Sequence, residues 1–114
     1  MTTEYLRGEV LDLLNWAQQT GPRCHRTDRT VGALRKDAES VQVNDLSWVV
    51  ERALTIAEGW CFDALATDDF GAFCERCRLA AAIYDFGICS NLLAGRSTDG
   101  PAASPTIWRK RKGV

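Results

Sequence analysis

The segment from residue 67 to residue 93 constrains the fold more than any other part of the chain, because its apolar residues cover two opposite faces of a helix. A helix that is apolar on both sides has to be covered on both sides. The pattern therefore predicts a helix at the centre of a bundle, or one on which two chains meet. One face holds Phe70, Phe73, Cys77, Ala80, Ala81, Tyr84 and Ile88, and the other holds Leu79, Ala82, Ile83, Phe86 and Leu93.

Three further helices are predicted before this segment, because apolar residues recur there at intervals of three and four. The first spans about residues 3–19, and the second follows an N-cap at Thr27 or Asp28. The third begins after Asn44 or Asp45 and reaches Ala66, with an apolar stripe nearly five turns long. The stripe comprises Leu46, Val49, Val50, Ala53, Leu54, Ala57, Trp60, Cys61 and Ala64.

The bounds of the fourth helix follow from its flanking residues. Thr67 is its predicted N-cap, Asp68 and Asp69 fall in its first turn, where the helix dipole favours negative charge, and Gly95 ends it. Short connections between sequential helices favour antiparallel neighbours. We therefore predict an all-α fold: a small bundle of about four helices over residues 1–95, with a long central C-terminal helix. Residues 96–114 are predicted to be a flexible linker and a basic tail.

Composition narrows the class of protein. No apolar run approaches the ~18 residues of a membrane span, and residues 1–20 carry acids where a secretory signal would be basic and then apolar. Five cysteines make an odd set, which disfavours a framework of disulfides. These features predict a cytoplasmic protein with reduced thiols.

Charge is distributed unevenly along the chain. All 15 acidic residues precede Gly100, whereas Arg109, Lys110, Arg111 and Lys112 place four positive charges near the end. The sequence therefore predicts an acidic body and a basic tail. Arginine is common and lysine rare, a bias typical of high-GC coding sequences such as those of some bacteria and their phages.

The third helix has a second side that is not wholly polar. Trp48, Thr55, Gly59 and Phe62 line up opposite the apolar stripe. Either the second helix or a folded-back tail covers the two aromatic side chains, or they are exposed anchors for a partner or a second subunit.

Acidic residues accompany these aromatic side chains. Glu51, Glu58 and Asp63 are predicted to follow one flank of the third helix, where they would favour a basic groove on another protein. The predicted partner-binding residues are Trp48, Glu51, Arg52, Glu58 and Phe62.

Cysteines raise a second hypothesis, that of a metal or thiol-redox protein. Cys74 and Cys77 form a Cys-x-x-Cys pair to which Cys24 and His25 could add two further zinc ligands. The pair also resembles the redox motif of the helical AhpD-like peroxidases, which implies thiol chemistry. Ala81, however, occupies the position of that family's histidine, and Phe62 stands near that of its glutamate. We predict no cofactor.

Nucleic-acid binding is a third hypothesis. It depends on basic residues in the loop before the second helix and in the tail, which would attract phosphates in a salt-sensitive way without reading sequence. The residues concerned are Arg23, Arg26, Arg29, Arg109, Lys110, Arg111 and Lys112.

No grouping of residues typical of an enzyme is present in the sequence. His25 is the single histidine, and there is no Gly-rich phosphate loop and no nucleophile elbow. The sequence therefore favours a small module that binds another protein and occludes its surface, as an inhibitor or adaptor. A phage-encoded protein directed at a host defence, such as an anti-CRISPR protein, is one example. A homodimer is also compatible with the pattern, whereas nucleic acid is less favoured and a membrane is not expected.

Overall fold

The computed structural model describes residues 2–42 and 45–93, and these residues form four α-helices. The helices are α1 (Thr3–Thr20), α2 (His25–Ser40), α3 (Leu46–Ala66) and α4 (Phe70–Cys89). This arrangement confirms the all-α prediction. The predicted linker and basic tail over residues 96–114, and the predicted helix end at Gly95, lie outside the described residues. Within those residues, every helix is too short or too polar to cross a membrane.

Contacts between helix ends show that successive helices run antiparallel. Near the start of α1, Arg7 donates hydrogen bonds to the carbonyls of Ala38 and Val41 at the end of α2. Near the end of α1, Gln18 donates to the Asp28 carboxylate at the start of α2. The bundle is therefore up-down-up-down, with α1 and α3 each contacting the other three helices.

The core lies where the inner faces of the four helices meet. All nine residues of the predicted α3 stripe are buried, from Leu46 to Ala64, so this prediction is confirmed. Each of the other helices also contributes large side chains that are fully buried in this core. The apolar residues of each helix recur on one side, and that side faces the centre of the bundle. The largest buried side chains include Leu14, Val31, Leu54, Leu79 and Ile83.

Arg76 joins three helices at the end of the bundle where α1 and α3 finish. Its guanidinium donates to the Trp60 carbonyl at 3.1 Å and to the Thr20 carbonyl at 3.4 Å. Thr20 is the last residue of α1, so its carbonyl has no partner within the helix, and a cation there is favoured by the negative end of the helix dipole. The Trp60 carbonyl lies within α3 and accepts the Arg76 hydrogen bond in addition. At the same end, Gly21 lies against the Trp60 ring so closely that a Cβ at this position would come within 2.6 Å of it.

The start of α2 differs from the prediction. The helix begins at His25 with Cys24 as its N-cap, so Thr27 and Asp28 already lie in its first turn. Thr27 is buried against the core instead of capping. The inner positions Val31, Leu34 and Ala38 are buried as predicted.

The start of α4 was also predicted wrongly. Its N-cap is Asp69, whose carboxylate accepts a hydrogen bond from the backbone N–H of Ala72 at 3.1 Å. Thr67 instead ends α3, and its hydroxyl donates to carbonyls of the last turn of that helix. Between them, Asp68 adopts a left-handed backbone conformation with φ 57°, which reverses the chain. The acidic residues therefore precede the first turn of α4 and do not lie within it.

The end of α4 is earlier than predicted as well. Regular helix stops at Cys89, and Asn91 has a positive φ of 64°. Leu93 nevertheless stays buried, because it folds back over Gly87 and its N–H donates to the Gly87 carbonyl. The two-sided apolar pattern thus splits into a fully buried face around Leu79 and Ile83 and a half-buried rim around Cys77 and Ile88.

Candidate partner-binding surface

Four residues on the outward side of α3 form one continuous surface, which we call the α3 outer face: Trp48, Thr55, Gly59 and Phe62. They fall within about 60° of one another around the helix axis at 3.6 residues per turn. All four are exposed. Trp48 is 45% exposed and Phe62 is 55% exposed. The sequence left open whether the second helix or a folded-back tail covers these aromatic side chains, or whether they are exposed. The structure shows that α2 does not bury them.

Trp48 and Arg52 stand between two open depressions of about 510 Å³ each. The first depression follows α3 itself, and Glu51, Thr55 and Ile56 complete its lining. The second lies between α2 and α3. Its α2 side is lined by Arg29, Thr30, Ala33, Leu34 and Asp37. Depressions of this size can receive a side chain or a short peptide segment of a partner.

Phe62 lies at the opposite end of the same helix face. Fourteen residues separate it from Trp48, which corresponds to about 21 Å along the axis. Between the two aromatic side chains lie the small residues Thr55 and Gly59, and a Cβ added at Gly59 would meet nothing within 4 Å. We call this stretch of the α3 outer face, with a large aromatic side chain at each end, the trough.

The structure brings together three of the five predicted partner-binding residues, because Trp48, Glu51 and Arg52 line one depression. Glu58, the fourth predicted partner-binding residue, is less exposed than these three. Its side chain is half-buried with one carboxylate oxygen shielded from solvent, and its charge acts on the Cys61 thiol. The placement of Asp63 is also corrected, since at about 100° per residue it lies on the other side of the trough from Glu51.

The sequence did not predict the exposed apolar residues that lie near the α3–α4 connection. Among the described residues, Phe70 is the most exposed large apolar side chain, and Leu65 is exposed as well. The sequence placed Phe70 on a covered face of α4, with a predicted start two residues earlier than the observed one. It is the first residue of α4 and is exposed.

Negative charge concentrates on α3 and the connection that follows it. Residues 45–69 contain six acidic residues and one basic residue, Arg52, which gives a net charge of −5. The other described residues contain eight acidic and eight basic residues and are balanced. The whole negative excess of the described residues therefore lies on α3, which carries the α3 outer face, and on the residues that directly flank it. The six acids are Asp45, Glu51, Glu58, Asp63, Asp68 and Asp69.

The five cysteines are free thiols in different environments. Cys61 is buried, and burial, together with a hydrogen bond to Cys77, raises the pKa of its thiol to about 12. Cys74 is exposed. Within the described residues, no three His, Cys, Asp or Glu side chains come close enough together to hold a metal ion. The zinc set of Cys24, His25, Cys74 and Cys77 is thus not assembled there.

Cys24 is the one exposed cysteine whose environment favours the thiolate. Its Sγ lies 3.5 Å from the Thr27 hydroxyl at the N-terminus of α2. Hydrogen bonds from the hydroxyl and backbone of Thr27, with a smaller contribution from the Arg26 charge, lower the pKa of Cys24. A thiol with a lowered pKa is more reactive near neutral pH, because the thiolate is the nucleophile.

We therefore expect Cys24 to react with iodoacetamide at pH 7.5 faster than the other exposed thiols, Cys74 and Cys89. The midpoint of its rate–pH profile should lie below the ordinary cysteine value of about 8.5. Thr27→Val keeps the shape of the side chain and removes the hydroxyl, so it should shift this midpoint upward. Mass spectrometry of peptides from the alkylated chain gives each rate. An unchanged profile in Thr27→Val would contradict the assigned cause.

Basic residues of the nucleic-acid hypothesis are only partly within the described residues. Arg23, Arg26 and Arg29 are exposed around the start of α2. The four cations of residues 109–112 lie outside the described residues. Nucleic-acid binding stays a prediction.

Comparisons with known proteins give no relative from which a role could be carried over: no family model, no curated protein and no solved structure matches this chain.

Proposed function

We propose that this protein is a small protein-binding module that acts as an inhibitor or adaptor by covering a surface of its partner with the α3 outer face. The observation that carries the proposal is the exposure of Trp48 and Phe62 at the two ends of one trough. Tryptophan and other aromatic side chains dominate the energetics of protein interfaces. Small residues between such anchors leave room for a partner to approach closely.

The partner is expected to be basic. Residues 45–69 hold the entire negative excess of the described residues, and a positively charged surface would be attracted to them. The same charge disfavours a second copy of this chain on this face, because two acidic surfaces would repel each other. A homodimer is therefore the weaker form of the proposal.

Proteins that bind nucleic acids present surfaces of the required charge. An acidic helix with exposed aromatic side chains could occupy such a groove and keep the nucleic acid out. Inhibition of a host defence or transcription complex by a phage-encoded protein, for example an anti-CRISPR protein, would fit this chemistry. The target itself is left to experiment.

The test uses two glycines of the chain that are matched in their surroundings. Gly59 lies in the trough and Gly8 lies on α1, and a Cβ at either position would meet nothing within 4 Å. Replacing a glycine inside a helix usually stabilises it by roughly 0.5–1 kcal/mol, so Gly59→Gln and Gly8→Gln should both fold. Only Gly59→Gln places a side chain between the two aromatic anchors.

We expect Gly59→Gln to retain its partner at least about tenfold less well, since bulk in the trough spoils the fit of the interface core. The full chain is immobilised, bacterial lysate is passed over it, and retained proteins are quantified by mass spectrometry. The proposal is supported if one protein is retained by the wild type and by Gly8→Gln but lost from Gly59→Gln. Equal retention by both variants would place the binding surface elsewhere.

A further inference from the structure

The distribution of charge along the chain has two poles. Residues 45–69 carry a net charge of −5, and the other described residues are balanced. Residues 94–114 contain five basic residues and one acidic residue, which gives +4. The net negative charge of the chain is therefore held by α3 with its flanking residues, and the net positive charge is held by residues 94–114.

The path of the chain places the start of the basic segment near Trp48. α3 and α4 are antiparallel and joined by residues 67–69, so Trp48, 19 residues before Thr67, is level with the end of α4. The last described residue, Leu93, is buried against Gly87 at that same end. The last described residue thus lies at the Trp48 end of the α3 outer face.

The length of the segment is sufficient for it to reach any point on this face. Trp108 follows Leu93 by 15 residues, which span up to about 50 Å when extended. α3 has 21 residues and is about 31 Å long.

The chemistry of the two surfaces is complementary. Residues 107–112 read Ile-Trp-Arg-Lys-Arg-Lys, which combines an apolar pair with four cations. The depression lined by Trp48, Thr55 and Ile56 offers apolar surface with the Glu51 carboxylate beside it. Arginine and lysine also bind over exposed aromatic faces such as those of Trp48 and Phe62. Arg52 is the single cation among residues 45–69 and would keep the basic residues on the Glu51 side of the depression.

From these observations we infer that residues 107–112 bind the α3 outer face of the same chain, with Trp108 in the depression beside Trp48. The segment acts as an intrachain ligand that a basic partner has to displace. Because it is tethered, its effective concentration is in the millimolar range, and weak contacts suffice for occupancy. The inference concerns the same face as the proposed function, but its test needs no partner.

The experiment compares ¹H–¹⁵N spectra of the full chain at low ionic strength with those of a variant carrying Arg109→Gln, Lys110→Gln, Arg111→Gln and Lys112→Gln. We expect the indole N–H signal of Trp48 and the amide signals of Glu51 and Thr55 to shift. The indole signal of Trp16, which is 38% exposed on α1, should stay in place. Salt at roughly 0.5 M should move the wild-type signals toward those of the variant, since screening weakens ion pairs.

A control variant removes four exposed cations from other parts of the bundle, through Arg23→Gln, Arg26→Gln, Lys36→Gln and Arg78→Gln. It should leave the Trp48 signal unchanged, which separates local docking from a general effect of charge. If neutralising residues 109–112 shifts no signal of α3, the inference is overturned. It is also overturned if the shifts grow with protein concentration, because the ligand would then be the segment of a second copy. Either result leaves the Gly59→Gln test of partner binding unaffected.

Discussion

Replacing Trp48 and Phe62 together by alanine is expected to weaken partner binding at least about 100-fold. Anchor residues of protein interfaces typically cost 2 kcal/mol or more when truncated, which is about 30-fold each. Folding should be little affected, because about half of each side chain is already in solvent. We expect the free energy of unfolding to fall by less than about 1 kcal/mol.

The measurement is the dissociation constant of the captured partner, determined alongside thermal melting followed by circular dichroism. Trp16→Ala is the matched control, since it removes a comparably exposed indole from α1. It should bind the partner normally. Loss of cooperative melting in the double variant would mean that these residues support the core, and undiminished affinity would refute the assignment of the α3 outer face.

Leu54→Ala is expected to lower the free energy of unfolding by about 2–5 kcal/mol, the range observed when a buried leucine is truncated. Leu54 is fully buried in the middle of α3, the helix that contacts the other three, so the bundle cannot easily close the resulting cavity. A domain of this size has only about 5–15 kcal/mol of stability in total. The melting temperature should therefore fall by more than about 10 °C.

Urea unfolding of the full chain measures this loss. Leu65→Ala makes the same chemical change on the same helix at an exposed position and should stay within about 0.5 kcal/mol of the wild type. Similar losses in both variants would contradict the assignment of the effect to burial, because alanine is the better helix former at both positions.

Periodicity predicted the parts of the fold that depend on a repeated signal. The α3 stripe contains nine apolar residues in register over nearly five turns, and all nine are buried. The same reasoning correctly placed Trp48 and Phe62 on the opposite side, since a helix fixes the angular position of every residue once one face is known.

Helix starts were less predictable because several residues near each start are good caps. Thr27 and Asp28 both suit an N-cap position, yet Cys24 takes it and the Thr27 side chain enters the core. The choice depends on how α2 packs, which no local pattern encodes. Asp68 likewise has a left-handed backbone conformation, and α4 therefore begins only at Phe70. Aspartate adopts this conformation too seldom for the sequence to predict it at a given position.

The surroundings of individual side chains also depended on tertiary structure. Glu58 has a polar position on a helix wheel, but how far it is buried depends on what packs beside α3. Its half-buried carboxylate is one turn from Cys61 on the same helix, helps to raise the pKa of that thiol, and is not fully available to a partner. The charge excess of residues 45–69, by contrast, is readable from the sequence once the bounds of α3 are known.

The contacts of Arg76 join α1, α3 and α4 through groups that do not change their charge with pH. Its guanidinium holds main-chain carbonyls of Trp60 and Thr20, and neither a guanidinium nor a peptide carbonyl gains or loses a proton over the pH range of living cells. The Arg76 contacts should therefore hold α1, α3 and α4 together equally well over that pH range.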